Sequence, residues 1–342
     1  RKKQVTYTWE VTNPINSYTI NVNIGDYVNW TETYPGDKGD LDCSYWVLRQ
    51  NEQEAREHFK QATMTLEAFE HWFGPYPFYE DSYKLVHVPY LGMEHQSSVT
   101  YGNAFGNGYL GRDLSQSGEG LKFDFIIVHE SGHEWFANSL TNKDVADMWI
   151  HESFTNYSES LYLEYHFGQA SAYKYVRGTR SNIRNDIPII GPYNVRREGS
   201  GDMYYKGGNM LHTIRRIIND DEAWRGILRG LNEDFYHQTV DTEMVESYIA
   251  EKSGEYLQPL FDIYLRDVRV PTFTYRQTEN GTLYRWSNVP SNFIMPLDIT
   301  VNGENQRIIP TYSWQMLEEV TWNDEIGVDS NYYIYQEDQT VK

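Results

Sequence analysis

Hydrophobic and polar residues alternate through much of the first fifty positions, a pattern typical of strands with one covered face. Two stretches show it most clearly, from Val5 to Val11 and from Tyr18 to Ile24. The sequence Gly-Asp-Lys-Gly at 36–39 predicts a turn. Because these strands begin without partner strands upstream, we expect residues 1–50 to be the C-terminal remnant of an N-terminal β domain. We therefore expect the chain to be a fragment that lacks flanking domains.

The spacing of apolar residues becomes helical from residue 52. Apolar side chains then recur every three or four positions as far as Phe73, where Gly74 and Pro75 stop the helix. This pattern predicts a mainly helical domain with a small sheet over residues 51–269. Its other predicted elements are strands at 83–88 and 97–101, a glycine-rich loop at 102–120, and helices around 123–140, 148–167, 203–219 and through 222–266.

The strand pattern returns after Pro271. Asn-Gly pairs at 280–281 and 302–303 separate short runs of alternating residues, and Asn-Gly is the strongest short hairpin signal. We expect residues 270–342 to form a small β-sandwich-like domain.

Charge and composition narrow the class of protein. The chain has 342 residues, with 29 Lys and Arg against 49 Asp and Glu, so its net charge is −20. A chain this acidic does not present the concentrated positive charge that nucleic acid binding requires. The apolar runs, such as residues 125–128, are too short for a transmembrane helix. We therefore expect no nucleic acid partner and no transmembrane segment, and the compartment stays open between cytoplasm and export.

One predicted helix carries a candidate metal site, His129-Glu130-Ser131-Gly132-His133. Residues four apart lie on the same face of a helix, so both imidazoles can bind one ion. Neutral imidazole suits Zn²⁺, and a third protein ligand would leave the fourth position open for water. The alternative is a pair of structural histidines on a buried helix.

The next predicted helix supplies carboxylates for this site. Glu152 lies nineteen residues after His133, near the start of that helix, and an antiparallel helix can bring it to the metal as third ligand. Glu159 lies on the same face two turns later and is placed to accept a hydrogen bond from a ligand imidazole. A solvated carboxylate on the helix surface is the alternative for Glu159.

Together these segments resemble the gluzincin aminopeptidases, the family of alanyl aminopeptidase and leukotriene hydrolase. The resemblance is close over residues 73–212. The motifs that carry it are His129-Glu130-Ser131-Gly132-His133, Trp149-Ile150-His151-Glu152, Leu91-Gly92-Met93-Glu94-His95 and Tyr204-Tyr205-Lys206-Gly207. The resemblance implies a thermolysin-like catalytic domain, so the predicted fold class is α+β multidomain, with the β remnant before that domain and the β-sandwich-like domain after it.

The family implies roles for several of these residues. One Zn²⁺ per chain would be held by three ligands, with Glu130 as the general base that activates the bound water. Tyr204 would stabilise the oxyanion by donating its phenolic hydrogen, although packing against a neighbour is an alternative for this tyrosine. The implied zinc ligands are His129, His133 and Glu152.

The family's exopeptidase strand implies how the substrate binds. Glu94 would pair with the free α-ammonium of a peptide, and the backbone of Gly92 and Met93 would pair with the peptide as an added strand. The sequence departs from the family here, since Leu91 replaces a glycine and His95 replaces an asparagine.

Three functions follow from these features. The first is a zinc-dependent aminopeptidase acting on peptides with a free N-terminus. The second is a thermolysin-like endopeptidase, which the implied position of Glu94 disfavours because it would block extended substrates. The third is a truncated zinc-binding fragment with little activity.

Overall fold

The computed structural model describes residues 5–341. Residues 1–4 and Lys342, which fall within the predicted first and last domains, lie outside the described residues.

Helices and short sheets alternate along the described chain. The helices are α1 (Glu52–His58), α2 (Lys60–Phe73), α3 (Phe125–Gly132), α4 (Trp149–Phe167), α5 (Gln169–Gly178), α6 (Tyr205–Ile218), α7 (Asp221–Asp234), α8 (Thr242–Ser253) and α9 (Gln258–Leu265). The strands are β1 (Tyr27–Gly36), β2 (Gly39–Leu48), β3 (Tyr83–His87), β4 (Gly92–Met93), β5 (Val99–Tyr101), β6 (Leu140–Asn142), β7 (Gln238–Val240), β8 (Thr272–Thr278), β9 (Gly281–Ser287), β10 (Leu297–Val301), β11 (Glu304–Ile308), β12 (Gln315–Leu317), β13 (Ile326–Val328) and β14 (Tyr335–Asp338). Among residues 5–341, no helix combines the length and apolar character needed to cross a bilayer.

The largest sheet has five strands in the order β1-β2-β3-β5-β4. The predicted turn at 36–39 is confirmed, because Gly36 pairs with Gly39 at the end of the β1–β2 hairpin. Strand β2 then pairs in parallel with β3, so the sheet continues across the predicted domain boundary at residue 50. Strand β4 forms the edge of this sheet. The division into domains at residues 50 and 270 stays a prediction.

The strands predicted between residues 5 and 24 are wrong. The described residues before β1 contain a 3-10 turn at Ser17–Thr19 and otherwise no helix or strand. The alternating apolar side chains are exposed, at 69% for Trp9 and 93% for Ile24. A strand needs a neighbouring strand to accept its backbone hydrogen bonds, and no strand pairing includes this segment.

The helix that carries the two histidines is shorter than predicted. It ends at Gly132 rather than near residue 140, and His133 follows it with a helical backbone. Directly after Gly132 the backbone bonds span three residues, from the Glu134 N–H to the Ser131 carbonyl and from the Trp135 N–H to the Gly132 carbonyl. Further on they span five residues, as from the Asn138 N–H to the His133 carbonyl. The regular helix ends because the four-residue hydrogen-bond spacing is lost.

The C-terminal part contains a four-stranded sheet, β12-β9-β8-β14, and a three-stranded sheet, β11-β10-β13. The hairpin at 302–303 has the predicted turn, with positive φ angles of 52° and 86° at Asn302 and Gly303. The other hairpin forms one residue earlier than predicted, because Thr278 already pairs with Gly281. The fold is therefore a mixed α and β fold with several small sheets, while the sandwich arrangement stays a prediction.

Candidate metal centre and active site

The position of α3 is set at its first turn. Asp124 precedes the helix and accepts hydrogen bonds from the N–H groups of Ile126 (2.9 Å) and Ile127 (3.1 Å). This side-chain cap satisfies backbone donors that the helix leaves unpaired. Every residue of α3 is buried, because its sequence is apolar except on the face that carries the histidines. The helix therefore holds its polar groups at a fixed place inside the protein.

Three side chains converge between α3 and α4. The His129 and His133 Nε2 atoms lie 3.6 Å and 3.5 Å from the Glu152 Oε2 atom. Two ligands bound to Zn²⁺ at roughly 2.0–2.2 Å with tetrahedral angles lie roughly 3.3–3.6 Å apart. The Glu152 Oε2 atom is buried and has no hydrogen-bond partner among the described residues. The donor set and its spacing therefore fit one zinc ion.

The Nδ1 atom of each imidazole already makes a hydrogen bond within the protein. The His129 Nδ1–H donates to Glu159 (2.9 Å), and the His133 Nδ1–H donates to the Phe136 carbonyl (3.1 Å). In the neutral imidazoles these bonds leave both Nε2 lone pairs available to bind an ion. Glu159 is fully buried and also accepts from Tyr175 (2.6 Å), so it is not a solvated surface carboxylate.

Burial and charge oppose each other at these ligands. Burial alone lowers the pKa of His129, but the nearby Glu152 carboxylate and the bond to Glu159 outweigh burial and hold the pKa well above its usual value. Burial alone raises the pKa of Glu152, but His133 and His129 outweigh it and hold that pKa below its usual range. The carboxylates thus favour positive charge at the centre of this group.

Glu130 and Tyr204 face the same group. Burial raises the pKa of the Glu130 carboxyl to about 7, against the opposing effect of the two histidines. Tyr204 lies directly before α6, and the backbone of the preceding Met203 accepts a bond from Ser153 on α4 (2.7 Å). Burial and the nearby Glu152 and Glu130 charges raise the pKa of the Tyr204 phenol, so it stays a hydrogen donor at neutral pH.

The edge strand β4 brings Glu94 to this site. One carboxylate oxygen each from Glu94 and Glu130 and a nitrogen of His133 all lie within 4.8 Å of one another. Strand β4 packs closely on α3, since a Cβ added to Gly92 would lie 2.7 Å from Ile126 and 3.2 Å from Glu130. Glycine at this position therefore allows the strand to approach the helix. The structure thus brings together His129, His133, Glu152, Glu130 and Glu94, while the roles assigned to them stay predictions.

Two further residues at this centre were missed by the sequence reasoning. Tyr18 is 41% exposed as a whole residue, but its phenol group is partly buried beside Glu94 and Glu152. Burial of the phenol and these two charges raise its pKa. Glu134, the residue after His133, is fully buried and accepts from the Ser97 N–H at 2.8 Å. Burial raises the pKa of Glu134 to about 8. No local spacing could reveal them, because both act on residues distant in the sequence.

His95, which departs from the family pattern, is not among the described residues that could hold a metal ion. Its Nδ1 atom bonds to the Thr19 carbonyl at 2.9 Å. The adjacent Gln96 donates to the Pro14 carbonyl at 2.8 Å. These two bonds attach the extended N-terminal segment to the chain that follows Glu94.

Two histidines four residues apart and a glutamate from the next helix, beside a buried glutamate, are typical of zinc metallopeptidases. Comparison with known proteins agrees with this class. The family model described as "Peptidase family M1 domain" matches residues 57–264, which is more than half of the chain. The chain belongs to peptidase family M1.

Several aminopeptidases are similar to the chain at low sequence identity. Endoplasmic reticulum aminopeptidase 1 of Mus musculus is 22% identical over 253 residues, covering 70% of this chain and 26% of that protein. Aminopeptidase N of Lactococcus lactis subsp. lactis is 24% identical over 193 residues, covering 52% and 22%. Probable aminopeptidase 1 of Sulfurisphaera tokodaii is 19% identical over 340 residues, covering 90% and 41%. The chain thus spans well under half the length of these relatives.

A solved structure has the same fold. The crystal structure of Legionella pneumophila aminopeptidase A in complex with aspartic acid matches with a TM-score of 0.70 at 13% identity. The match covers 92% of this chain and 38% of that chain.

Proposed function

We propose that this chain is the catalytic part of a zinc-dependent aminopeptidase that hydrolyses the first peptide bond of peptides with a free N-terminus. The observation that carries the proposal is the position of Glu94. Its carboxylate lies within 4.8 Å of the ligand atoms offered by Glu130 and His133, at the edge of the group that fits zinc. A negative charge at this place pairs with a terminal ammonium and limits the chain that can extend beyond it.

Three side chains would hold the ion, namely His129, His133 and Glu152. When bound, Zn²⁺ supplies Lewis-acid polarisation and lowers the pKa of a coordinated water to about 7. Glu130, with a pKa raised to about 7, takes up the proton of the attacking water and returns it to the leaving amine.

Tyr204 stabilises the charge that develops on the carbonyl oxygen of the scissile bond. Its hydroxyl keeps its proton, because the nearby carboxylates and burial raise its pKa. A donor already held in place for the oxyanion needs little reorganisation during the reaction.

Strand β4 gives the substrate its direction. It is the edge strand of the five-stranded sheet, with its other side paired to β5. An extended peptide can add to the open edge through the backbone of Gly92 and Met93. The next residue, Glu94, then meets the peptide's first amine.

We also propose an arrangement of three domains along the chain. A thermolysin-like catalytic domain over residues 51–269 contains the whole family match, 57–264. The β remnant at 1–50 and a β-sandwich-like domain at 270–342 would flank it.

Hydrolysis of an amino-acid arylamide and of its N-acetylated form tests the proposal. We expect the free amine to be cleaved much faster, with activity lost on chelation and restored by zinc. Preference for the acetylated compound would support the endopeptidase instead. Absence of cleavage of both compounds by the zinc-loaded chain would contradict the proposed activity of this chain and favour the truncated binding fragment.

A further inference from the structure

The turn that follows Glu94 has an unusual backbone. Ser97 has a φ angle of +51°, in the left-handed region that side chains other than glycine seldom adopt. The turn closes with a bond from the Ser98 N–H to the His95 carbonyl (2.9 Å). A non-glycine residue persists in this conformation when its surroundings hold it there.

The carboxylate of Glu134 accepts the hydrogen bonds that hold this turn. The Ser97 N–H donates to both of its carboxylate oxygens, at 2.8 and 3.1 Å. The Tyr76 hydroxyl donates to the same carboxylate at 3.1 Å. Glu134 is fully buried and directly follows the candidate zinc ligand His133.

The candidate zinc ligand His133 and the proposed amine-binding Glu94 are connected by a short path through Glu134 and Ser97. From His133, one peptide bond leads to Glu134, one hydrogen bond leads to Ser97, and three residues lead back to Glu94. The Asn138 side chain also donates to the Glu94 carbonyl (3.0 Å), so the chain near Glu94 is fixed at two points by the segment after α3.

We propose that Glu134 is a positioning residue that fixes Glu94 relative to the metal ligands and thereby sets the preference for a free α-amine. This inference rests on the proposed function and adds a determinant of its selectivity. Glu134 acts through the Ser97 backbone and does not touch the substrate. A charged pair depends steeply on geometry, so a displacement of about 1 Å at Glu94 is enough to weaken amine recognition.

Substitutions of Glu134 separate this role from ordinary stabilisation. Glu134→Leu removes the acceptor for the Ser97 N–H, whereas Glu134→Gln keeps an oxygen acceptor of the same length. The matched control is Glu246→Leu, which removes another buried carboxylate. Glu246 accepts from the Arg266 guanidinium at 2.6 and 3.1 Å, and no hydrogen bond in the described chain joins it to Tyr76, Ser97 or Glu134.

The first readout is the ratio of kcat/KM for the free and acetylated arylamides, measured beside Tm. The second is the ratio of dissociation constants for a dipeptide and its N-acetylated form, measured by calorimetry in a Glu130→Gln background. We expect Glu134→Leu to lower both ratios about tenfold or more. We expect Glu134→Gln to keep them close to those of the parent, and Glu246→Leu to lower Tm while keeping both ratios.

The outcomes are distinguishable. A parent chain with no preference for the free amine contradicts the proposed function and this inference together. A parent with the preference, and a folded Glu134→Leu variant that retains it in full, overturns this inference alone. Loss of the preference in Glu246→Leu would also overturn it, because the effect would then follow general destabilisation. If Glu134→Leu does not fold, Glu134→Asn, too short to reach Ser97 in the same way, is expected to show the same loss.

Discussion

Replacing Glu94 by glutamine removes one negative charge from the proposed amine site without changing the volume of the side chain. The turn around it should persist, because Asn138 bonds to the backbone carbonyl of Glu94 and Glu134 bonds to Ser97. The substitution therefore tests charge recognition rather than folding.

The expected effect follows from the surroundings of Glu94. The residue is partly buried, so its pairing with an ammonium is only partly screened by water. Hydrogen bonds to charged groups contribute about 1.5–3 kcal/mol. Each 1.4 kcal/mol corresponds to about a factor of ten, so KM for a free amino-acid arylamide should rise about ten- to hundredfold. The value of kcat should change less, because the ammonium is bound in both the ground state and the transition state.

Steady-state kinetics on the free and acetylated arylamides measures this effect. The acetylated compound is the internal control, since it carries no ammonium and its KM should stay the same. An unchanged KM for the free amine, or an equal rise in KM for both compounds, would refute the assigned role of Glu94.

Other substitutions test the remaining roles. Glu130→Gln should keep the zinc content but lower kcat about 10²–10⁴-fold, and retained turnover would exclude Glu130 as the base. Tyr204→Phe should lower kcat about 10²–10³-fold with little change in KM, whereas a change confined to KM would indicate a binding role. Glu159→Gln should weaken zinc binding about tenfold in a chelator competition, because the His129 imidazole loses its negatively charged partner. Unchanged zinc affinity in that variant would contradict the role of Glu159.

The sequence predicted the part of the site that depends on local spacing. His129 and His133 are four residues apart, and that separation alone places both imidazoles on one side of the chain. Glu152 lies near the start of the next helix, so a single antiparallel connection was enough to predict its approach. Both predictions depend on the spacing of residues along the sequence and not on contacts between distant segments.

The parts that the sequence did not predict depend on contacts between distant segments. The bond from Ser97 to Glu134 joins a turn and a helix end that are 37 residues apart. The failed strand prediction has a related cause. The alternation of apolar and polar residues near Trp9 is compatible with a strand. A strand also needs a neighbouring strand to pair with, and the alternation does not indicate whether one is present.

Zinc content tests the central claim most directly. The purified chain, loaded with zinc and freed of weakly bound ions, should retain one equivalent per chain by elemental analysis. His133→Ala should lose that ion while keeping its fold by circular dichroism. A folded His133→Ala variant that retains a full equivalent with unchanged affinity would show that the ion binds elsewhere, and would contradict the site described between α3 and α4.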